Sequence, residues 1–424
     1  MNSRFTSNML PLLTLIGAAL FLGYLAGRVE LILVAVPLSL AFFSAARRGA
    51  PPEYTLAHRV SATRVFEGDR VQVTVTLAAR SRIPMIELLE PLLPTVTLVA
   101  GCNRIVFTLR PGQDVRWTYE VECGGRGRFT LGTVHVRLYD ASMLRVREAQ
   151  HGDPVSVCVY PRIAPLRRLP QPRRTQTSVG NYVSPTLGEG LELGDIRPFA
   201  PGDRVRHVNW RASLRLGRLY VTQHHQERNA DVVLMLDSLG QVGASPASSL
   251  DLCVRAAACL AGAYLARKDR VGLIEYGGAL RWVRPGTGRV QLERLIGALV
   301  TAEVIFSYVT RDLALVPPRV LPPQALVIGL SPLLDPRFIK ALGDLVARGF
   351  DVVLLSVSPT EVTRATRPLS PVEDLACRVW SLEWEAQLLE LRRHGLPVLE
   401  WRPDQPLELV LSGLGRPRRR GVAA

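Results

Sequence analysis

Two uncharged apolar runs open the chain. Residues 9 to 27, MLPLLTLIGAALFLGYLAG, carry no charged side chain and are just long enough to cross a hydrocarbon core of ~30 Å. Arg28 and Glu30 interrupt; a second run, LILVAVPLSLAFFSAA, then extends from Leu31 to Ala46 and stops at Arg47 and Arg48. A cleaved secretory leader would show one such run followed by a small-residue cleavage site. Here a second run follows almost at once and no A-x-A site intervenes. The pattern predicts a two-helix transmembrane hairpin over residues 1–48. Arg4 precedes the first run, Arg47, Arg48 and Arg59 follow the second, and the connecting turn is near neutral. Positive flanks favour the cytoplasmic side, so both termini are expected in the cytoplasm of a multi-pass protein of a bacterial inner (plasma) membrane.

From residue 53 the period changes to two. VQVTVTL at 71–77, RIVFTL at 104–109, WTYEVE at 117–122, VHVRLY at 134–139 and VSVCVY at 155–160 alternate apolar and polar positions. Turn signals such as Glu67-Gly68-Asp69 and Pro111-Gly112 separate them, so residues 49–160 are expected to form an all-β, sandwich-like domain. No motif of His, Cys or carboxylates accompanies these strands. Residues 161–186 mix five prolines (Pro161, Pro165, Pro170, Pro172, Pro185) with arginines and read as a linker or an extended strap.

Beyond residue 231 continuous apolar runs replace alternation: VVLMLD at 232–237, VGLIEYG at 271–277, ALVIGLS at 325–331 and DVVLLSVS at 351–358. Such runs suit parallel strands covered on both faces. Helical segments are expected between and after them at 246–268, 291–302, 335–348 and 371–394, with Ser245-Pro246 as N-cap and first turn. The alternation predicts a doubly wound α/β domain over 231–424, whose ligands would bind at the carboxyl ends of its strands.

Composition changes the picture only in part. At 424 residues the chain exceeds one domain of ~100–200 residues, and its hydrophobic content of 47% excludes a disordered chain. The net charge of +15 raises nucleic-acid binding. However, Lys268 and Lys340 are the only lysines among 52 basic residues, a bias that genome composition explains as readily as function. No aromatic-interleaved basic stripe is present, and no nucleic-acid partner is expected. The cysteines, Cys102, Cys123, Cys158, Cys253, Cys259 and Cys377, have no zinc-like spacing and read as reduced thiols. There is no nucleophile elbow, no Walker loop and no G-x-G-x-x-G, so no enzyme is expected.

The most unusual stretch is 187–230. Glu192, Arg197, Asp203, Arg206 and Trp210 lie close together in sequence, and a carboxylate flanked by guanidiniums beside an indole suits a rigid ion-pair and stacking cluster. His224, His225 and Glu227 lack metalloprotease spacing and are not expected to hold a metal. The succession Gly190, Glu192, Leu193, Ile196, Arg197, Phe199, Gly202, Asp203, Arg206, Val208, Trp210 and Ser213 resembles the signature of the DUF58 family. The resemblance extends to the membrane hairpin, the β-rich segment and a following von Willebrand factor A-like (vWA-like) domain. It implies a partner, a MoxR-type AAA+ ATPase, and no assigned reaction. Gly190, Glu192, Arg197, Gly202, Asp203, Arg206, Trp210 and Ser213 are then a partner-docking or structural motif.

Asp237 ends the first α/β strand, where vWA domains carry a D-x-S-x-S metal site. One carboxylate and two hydroxyls would offer Mg²⁺ hard oxygens. Here Leu239 and Gln241 replace both serines, so no cofactor is expected and Mg²⁺ at Asp237 is the alternative. The expectation is a membrane-anchored, non-catalytic docking or assembly factor that also contacts the lipid bilayer. The competing readings are a Mg-type adhesion or ligand-binding module and, further off, a hydrolase or nucleic-acid binder.

Overall fold

The computed structural model describes residues 2–46, 52–171, 176–188, 192–200, 203, 205, 208–309 and 311–413. The chain forms two compact units, Met1–Val159 and Tyr160–Ala424.

The first unit begins with β1 (Asn2–Phe5), α1 (Met9–Ala26) and α2 (Val29–Ala46). The two helices match the two apolar runs and pack against each other. Gly27, left-handed at φ 61°, caps α1 and turns the chain. Gly23 lies tight against the second helix: a Cβ there would sit 2.7 Å from Ile32 Cγ1. Eleven strands follow: β2 (Tyr54–Val60), β3 (Arg64–Phe66), β4 (Arg70–Ala79), β5 (Ile83–Leu89), β6 (Val96–Ala100), β7 (Arg104–Leu109), β8 (Asp114–Cys123), β9 (Gly127–Leu131), β10 (Val134–Tyr139), β11 (Arg145–His151) and β12 (Val155–Tyr160).

They make three antiparallel sheets, ordered β1-β11-β10-β5-β7, β2-β4-β8-β6 and β3-β12-β9. The alternating apolar positions of β4, β5, β8, β10 and β12 meet in one core containing Val73, Ile86, Tyr119, Val136 and Val157. Every strand read from the alternation is present. The pattern did not reveal β1, which pairs with β11 from Asn2↔Glu148 to Phe5↔Arg145. Four residues are too few to show a period.

The second unit opens with residues 161–171, which pack as a strap: Ile163, Leu166 and Leu169 join the core over the next domain, and Tyr264 donates to the Pro170 carbonyl at 2.5 Å. The rest of the expected linker is not a connector, because β13 (Gln176–Gly188) pairs with β15 (Tyr220–Asn229). With β14 (Glu192–Pro198) these give a sheet ordered β13-β15-β14, and α3 (Trp210–Leu216) precedes β15.

Next come β16 (Asp231–Ser238), α4 (Ser249–Ala266), β17 (Arg270–Gly277), β18 (Leu280–Gly286), α5 (Gly288–Val300), β19 (Leu326–Ser331), α6 (Pro336–Ala347), β20 (Asp351–Val357), α7 (Pro359–Thr366), α8 (Pro371–Arg393), β21 (Val398–Trp401) and α9 (Leu407–Ser412). The sheet order is β18-β17-β16-β19-β20-β21, parallel except for β18 at its edge. Taken from β16 as the first strand, this is a doubly wound 3-2-1-4-5-6 order that reverses direction between β16 and β19. All eight residues of β16 are buried, as the continuous apolar run predicts. Helix α4 starts later than Ser245-Pro246 suggested. Ser248 is its N-cap, and Ser248 and Asp251 form a reciprocal capping box that fixes the helix start.

Candidate functional site

At the carboxyl edge of the reversal, β16 delivers Asp237 and β19 delivers Ser331 to the same point. The Ser331 hydroxyl donates to Asp237 Oδ2 at 2.5 Å, and the Leu239 amide donates to Oδ1 at 3.0 Å. Ser331 Oγ in turn accepts from the Leu333 amide at 2.8 Å. Asp237 is 1% exposed. Burial pushes its carboxyl up to about 7, the Asp335 charge adds to the rise, and the two hydrogen bonds and Arg337 oppose it.

Asp335 caps α6, and Arg337 grips it in a fork, with Nε to Oδ1 at 2.9 Å and Nη2 to Oδ2 at 2.6 Å. That guanidinium holds the Asp335 carboxyl below the usual range.

The donors do not fit the alternative reading, Mg²⁺ at Asp237. Leu239 and Gln241 bring no hydroxyl, Ser331 and Asp237 are satisfied by each other, and Asp335 is already neutralised by a cation of the chain itself. Among the described residues no group of three or more His, Cys, Asp and Glu stands close enough to share a metal ion.

Beside this edge runs the loop 303–309. Arg337 Nη1 donates to the Ser307 carbonyl at 2.7 Å, Arg311 Nη2 to Gly278 O at 2.8 Å, and Tyr276 Oη to the Arg311 carbonyl at 2.9 Å. A Cβ on Gly278 would lie 2.0 Å from the Ile305 carbonyl oxygen, so glycine is required where the loop crosses the β17–β18 turn. Arg337 thus holds the loop at Ser307, and the chain just beyond it is tied at Arg311, yet Phe306 is 95% exposed and Tyr308 fully so. No motif reasoning found these two residues. The only signal in the sequence is two aromatics in a short stretch after a helix.

The signature segment resolves into one strong pair and one tie. Arg197 and Asp203 are bidentate, Nη1 to Oδ2 at 2.7 Å and Nη2 to Oδ1 at 2.6 Å, and Asp203 also accepts from the Ala200 amide at 2.8 Å. The hydrogen bonds to Asp203 raise the Arg197 guanidinium further above its ordinary value. Ser213, buried in α3, donates to the Asn209 carbonyl and accepts from the Tyr220 amide at 2.8 Å, stitching helix to strand. Asn209, which the spacing argument passed over, caps α3 and donates to Thr222 Oγ1 at 3.0 Å. Trp210 opens α3 with 59% of its surface exposed, and among the described residues no guanidinium lies over its ring. Glu192 pairs through its backbone with His225. Gly190, Gly202 and Arg206 lie outside the described residues.

The β-rich unit also holds a polar cluster that no local motif announces. His58 Nε2 is 3.4 Å from Glu90 Oε2, both side chains being 2% exposed, and Glu90 Oε1 accepts from the Gly132 amide at 2.6 Å. Burial pushes the Glu90 carboxyl up, but contacts from His58, Tyr119 and the Gly132 amide outweigh it and hold the group below its ordinary value. These residues are far apart in sequence, which is why the strand-by-strand reading found no chemistry here.

Comparison with known proteins adds a family match and no activity. A family described as "Protein of unknown function DUF58" matches residues 195–362, a range that takes in Arg197, Asp203, Ser213 and Asp237 but begins after Gly190 and Glu192. An uncharacterized protein of Mycobacterium tuberculosis, Rv1480, is 26% identical over 190 residues, covering 43% of this chain and 60% of that protein. The uncharacterized protein YeaD of Bacillus subtilis is 24% identical over 190 residues, covering 43% and 48%. The chain therefore spans about three fifths or less of the length of these relatives. Among solved structures, the cupredoxin domain of amoB from Nitrosocaldus yellowstonii is similar at 16% identity and a TM-score of 0.19, covering 25% of this chain and 86% of that one. Similarity at that level carries no argument.

Proposed function

We propose that this protein is a membrane-anchored, non-catalytic docking factor. Its vWA-like α/β domain presents the 303–309 loop to a partner, which the DUF58 resemblance points to as a MoxR-type AAA+ ATPase. The observation that carries the reading is the pairing of opposites at one edge. The carboxylate that could do chemistry is buried and internally satisfied, while the neighbouring aromatics Phe306 and Tyr308 are exposed on either side of Ser307, whose carbonyl Arg337 holds. Exposed aromatics beside an arginine are the kind of surface that concentrates binding energy in protein interfaces. The 3-2-1-4-5-6 order, with its antiparallel edge strand, supports the vWA-like assignment.

The anchor is proposed to be the α1–α2 hairpin in the inner membrane, both termini cytoplasmic. Strand pairing between β1 and β11 supports it, because residues 2–5 and 145–148 must then share one side of the bilayer. An even number of crossings between them satisfies this, and a single one does not. Docking on this scheme needs no resident metal.

The test is co-expression of the full chain with a MoxR-type ATPase of the same genome, followed by purification from solubilised membranes. The ATPase is expected to co-purify in the presence of a chelator, and a Phe306→Ser/Tyr308→Ser chain with an unchanged melting temperature is expected to lose it. Equal recovery with both chains, or none with either, rejects the proposal.

A further inference from the structure

Helix α8 has two apolar faces. Cys377, Trp384 and Leu388 are buried on one, where Trp384, Leu388 and Leu391 join the core beneath the sheet. Half a turn around the helix, Val372, Leu375, Val379, Leu382, Ala386 and Leu389 are all exposed. Single exposed apolar residues are ordinary, but six in register form a continuous stripe along ~26 Å of helix. Their spacings alternate three and four, which is the a/d repeat of a coiled-coil seam. Nothing in the packing of the monomer needs that repeat, since the core is already served by the opposite face.

We propose that this stripe is a homodimer interface in which α8 pairs antiparallel with α8 of a second copy of the chain. The register follows from the sequence. With Val379 set against Leu382 of the second copy, a two-fold axis brings Leu375 onto Ala386 and Val372 onto Leu389, leaving no seam position unmatched. A contact of this kind is isologous and closes on itself.

Charge selects the same arrangement. In the antiparallel register Arg378 flanks the seam opposite Glu385 of the second copy, and the symmetry makes that pair twice. In a parallel register Arg378 would meet Glu383, but Glu385 would meet Glu390, so each attraction would be offset by a like-charge contact. Arg378 is bonded at present to Asp374 of its own helix at 2.9 Å, with 70% of its side chain exposed, so the guanidinium remains within reach of a neighbour. A lipid surface is the poorer occupant. Five acidic residues (Glu373, Asp374, Glu383, Glu385, Glu390) face three basic ones (Arg378, Arg392, Arg393) along α8, and an anionic leaflet repels that balance. One helix pair is a small contact, so a concentration-dependent dimer is expected.

This inference is independent of what binds the 303–309 loop. It is tested by sedimentation equilibrium of the full chain in density-matched detergent. The mass per protein is expected to rise from 46.7 kDa toward twice that value as concentration increases. Leu382→Glu, at an exposed position, is expected to leave the melting temperature unchanged and hold the chain monomeric. Arg378→Glu and Glu385→Arg should each weaken the dimer about tenfold, since each turns two attractions into repulsions, and the double reversal R378E/E385R should restore it. A wild-type chain that stays monomeric throughout, a Leu382→Glu chain that dimerises normally, or rescue of R378E by Glu383→Arg in place of Glu385→Arg would each overturn the proposal.

Discussion

Ser331 donates its hydroxyl to Asp237 across two neighbouring parallel strands, joining residues 94 positions apart at the carboxyl edge of the α/β sheet. The bond occupies the carboxylate that a metal or a substrate would need. Its surroundings also make Asp237 a pH-sensitive part of the fold.

With the folded carboxyl raised from 3.8 to about 7, Asp237 keeps its proton in the native state over a window where the unfolded chain has lost it. Unfolding then releases a proton, so its contribution is fully present below about 4, falls as pH rises through the window, and levels off above about 7. Melting temperatures of the wild-type chain from pH 5 to 8 should therefore fall more steeply than those of Asp237→Asn. Parallel curves would show that Asp237 is not the group responsible.

Ser213→Ala should destabilise the α/β unit by about 1–3 kcal/mol, because the half-buried Tyr220 amide loses the acceptor that the buried Ser213 hydroxyl supplies while the packing volume scarcely changes. Denaturant titration reads this directly. Ser213→Thr offers the same hydroxyl and should recover part of the loss.

Removing Glu90 should cost the β-rich unit more. Glu90→Ala leaves both His58 and the Gly132 amide facing a buried void, and each buried group left unsatisfied costs about 1–3 kcal/mol. Because the carboxyl is held below its ordinary value, its contribution is present above pH 4.5 and is lost as pH falls through the folded value. A loss at pH 7 no larger than that at pH 3 would contradict this.

Gly23→Leu places a side chain where a Cβ alone would already meet Ile32 at 2.7 Å. Overpacking of this kind costs about 1–3 kcal/mol, and the helices are expected to splay. Cysteine pairs engineered across α1 and α2 should cross-link more slowly in that background. Gly17→Leu, where the same helix has open space, serves as the neutral control.

The elements were largely legible in the sequence and the site was not. The two apolar runs became α1 and α2, the alternating bursts became β4, β7, β8, β10 and β12, and the continuous runs became β16, β17, β19 and β20. Each of these rests on a local period of side-chain burial. Within the signature, the six-residue separation of Arg197 and Asp203 was short enough for spacing to suggest the pair. For Trp210 the structure adds only its place: it opens α3 after the cap Asn209 and is largely exposed. Phe306 and Tyr308 carry no period at all. Their loop is held from another element only through Arg337, which reaches the Ser307 carbonyl from α6.

Hydrophobic period, a property of neighbours along the chain, placed most of the long strands and helices before any packing is considered. It also set the second apolar stripe of α8, since a 3-4 spacing stays on one helix face wherever the helix packs. The tertiary structure alone decided which residues meet: Asp237 with Ser331, His58 with Glu90, β1 with β11. It also decided which apolar face of α8 is sealed into the core and which is left outside. Those outcomes depend on how distant segments are brought together, and a hydrogen bond or a buried contact forms between atoms within a few ångströms however far apart their positions lie in the chain.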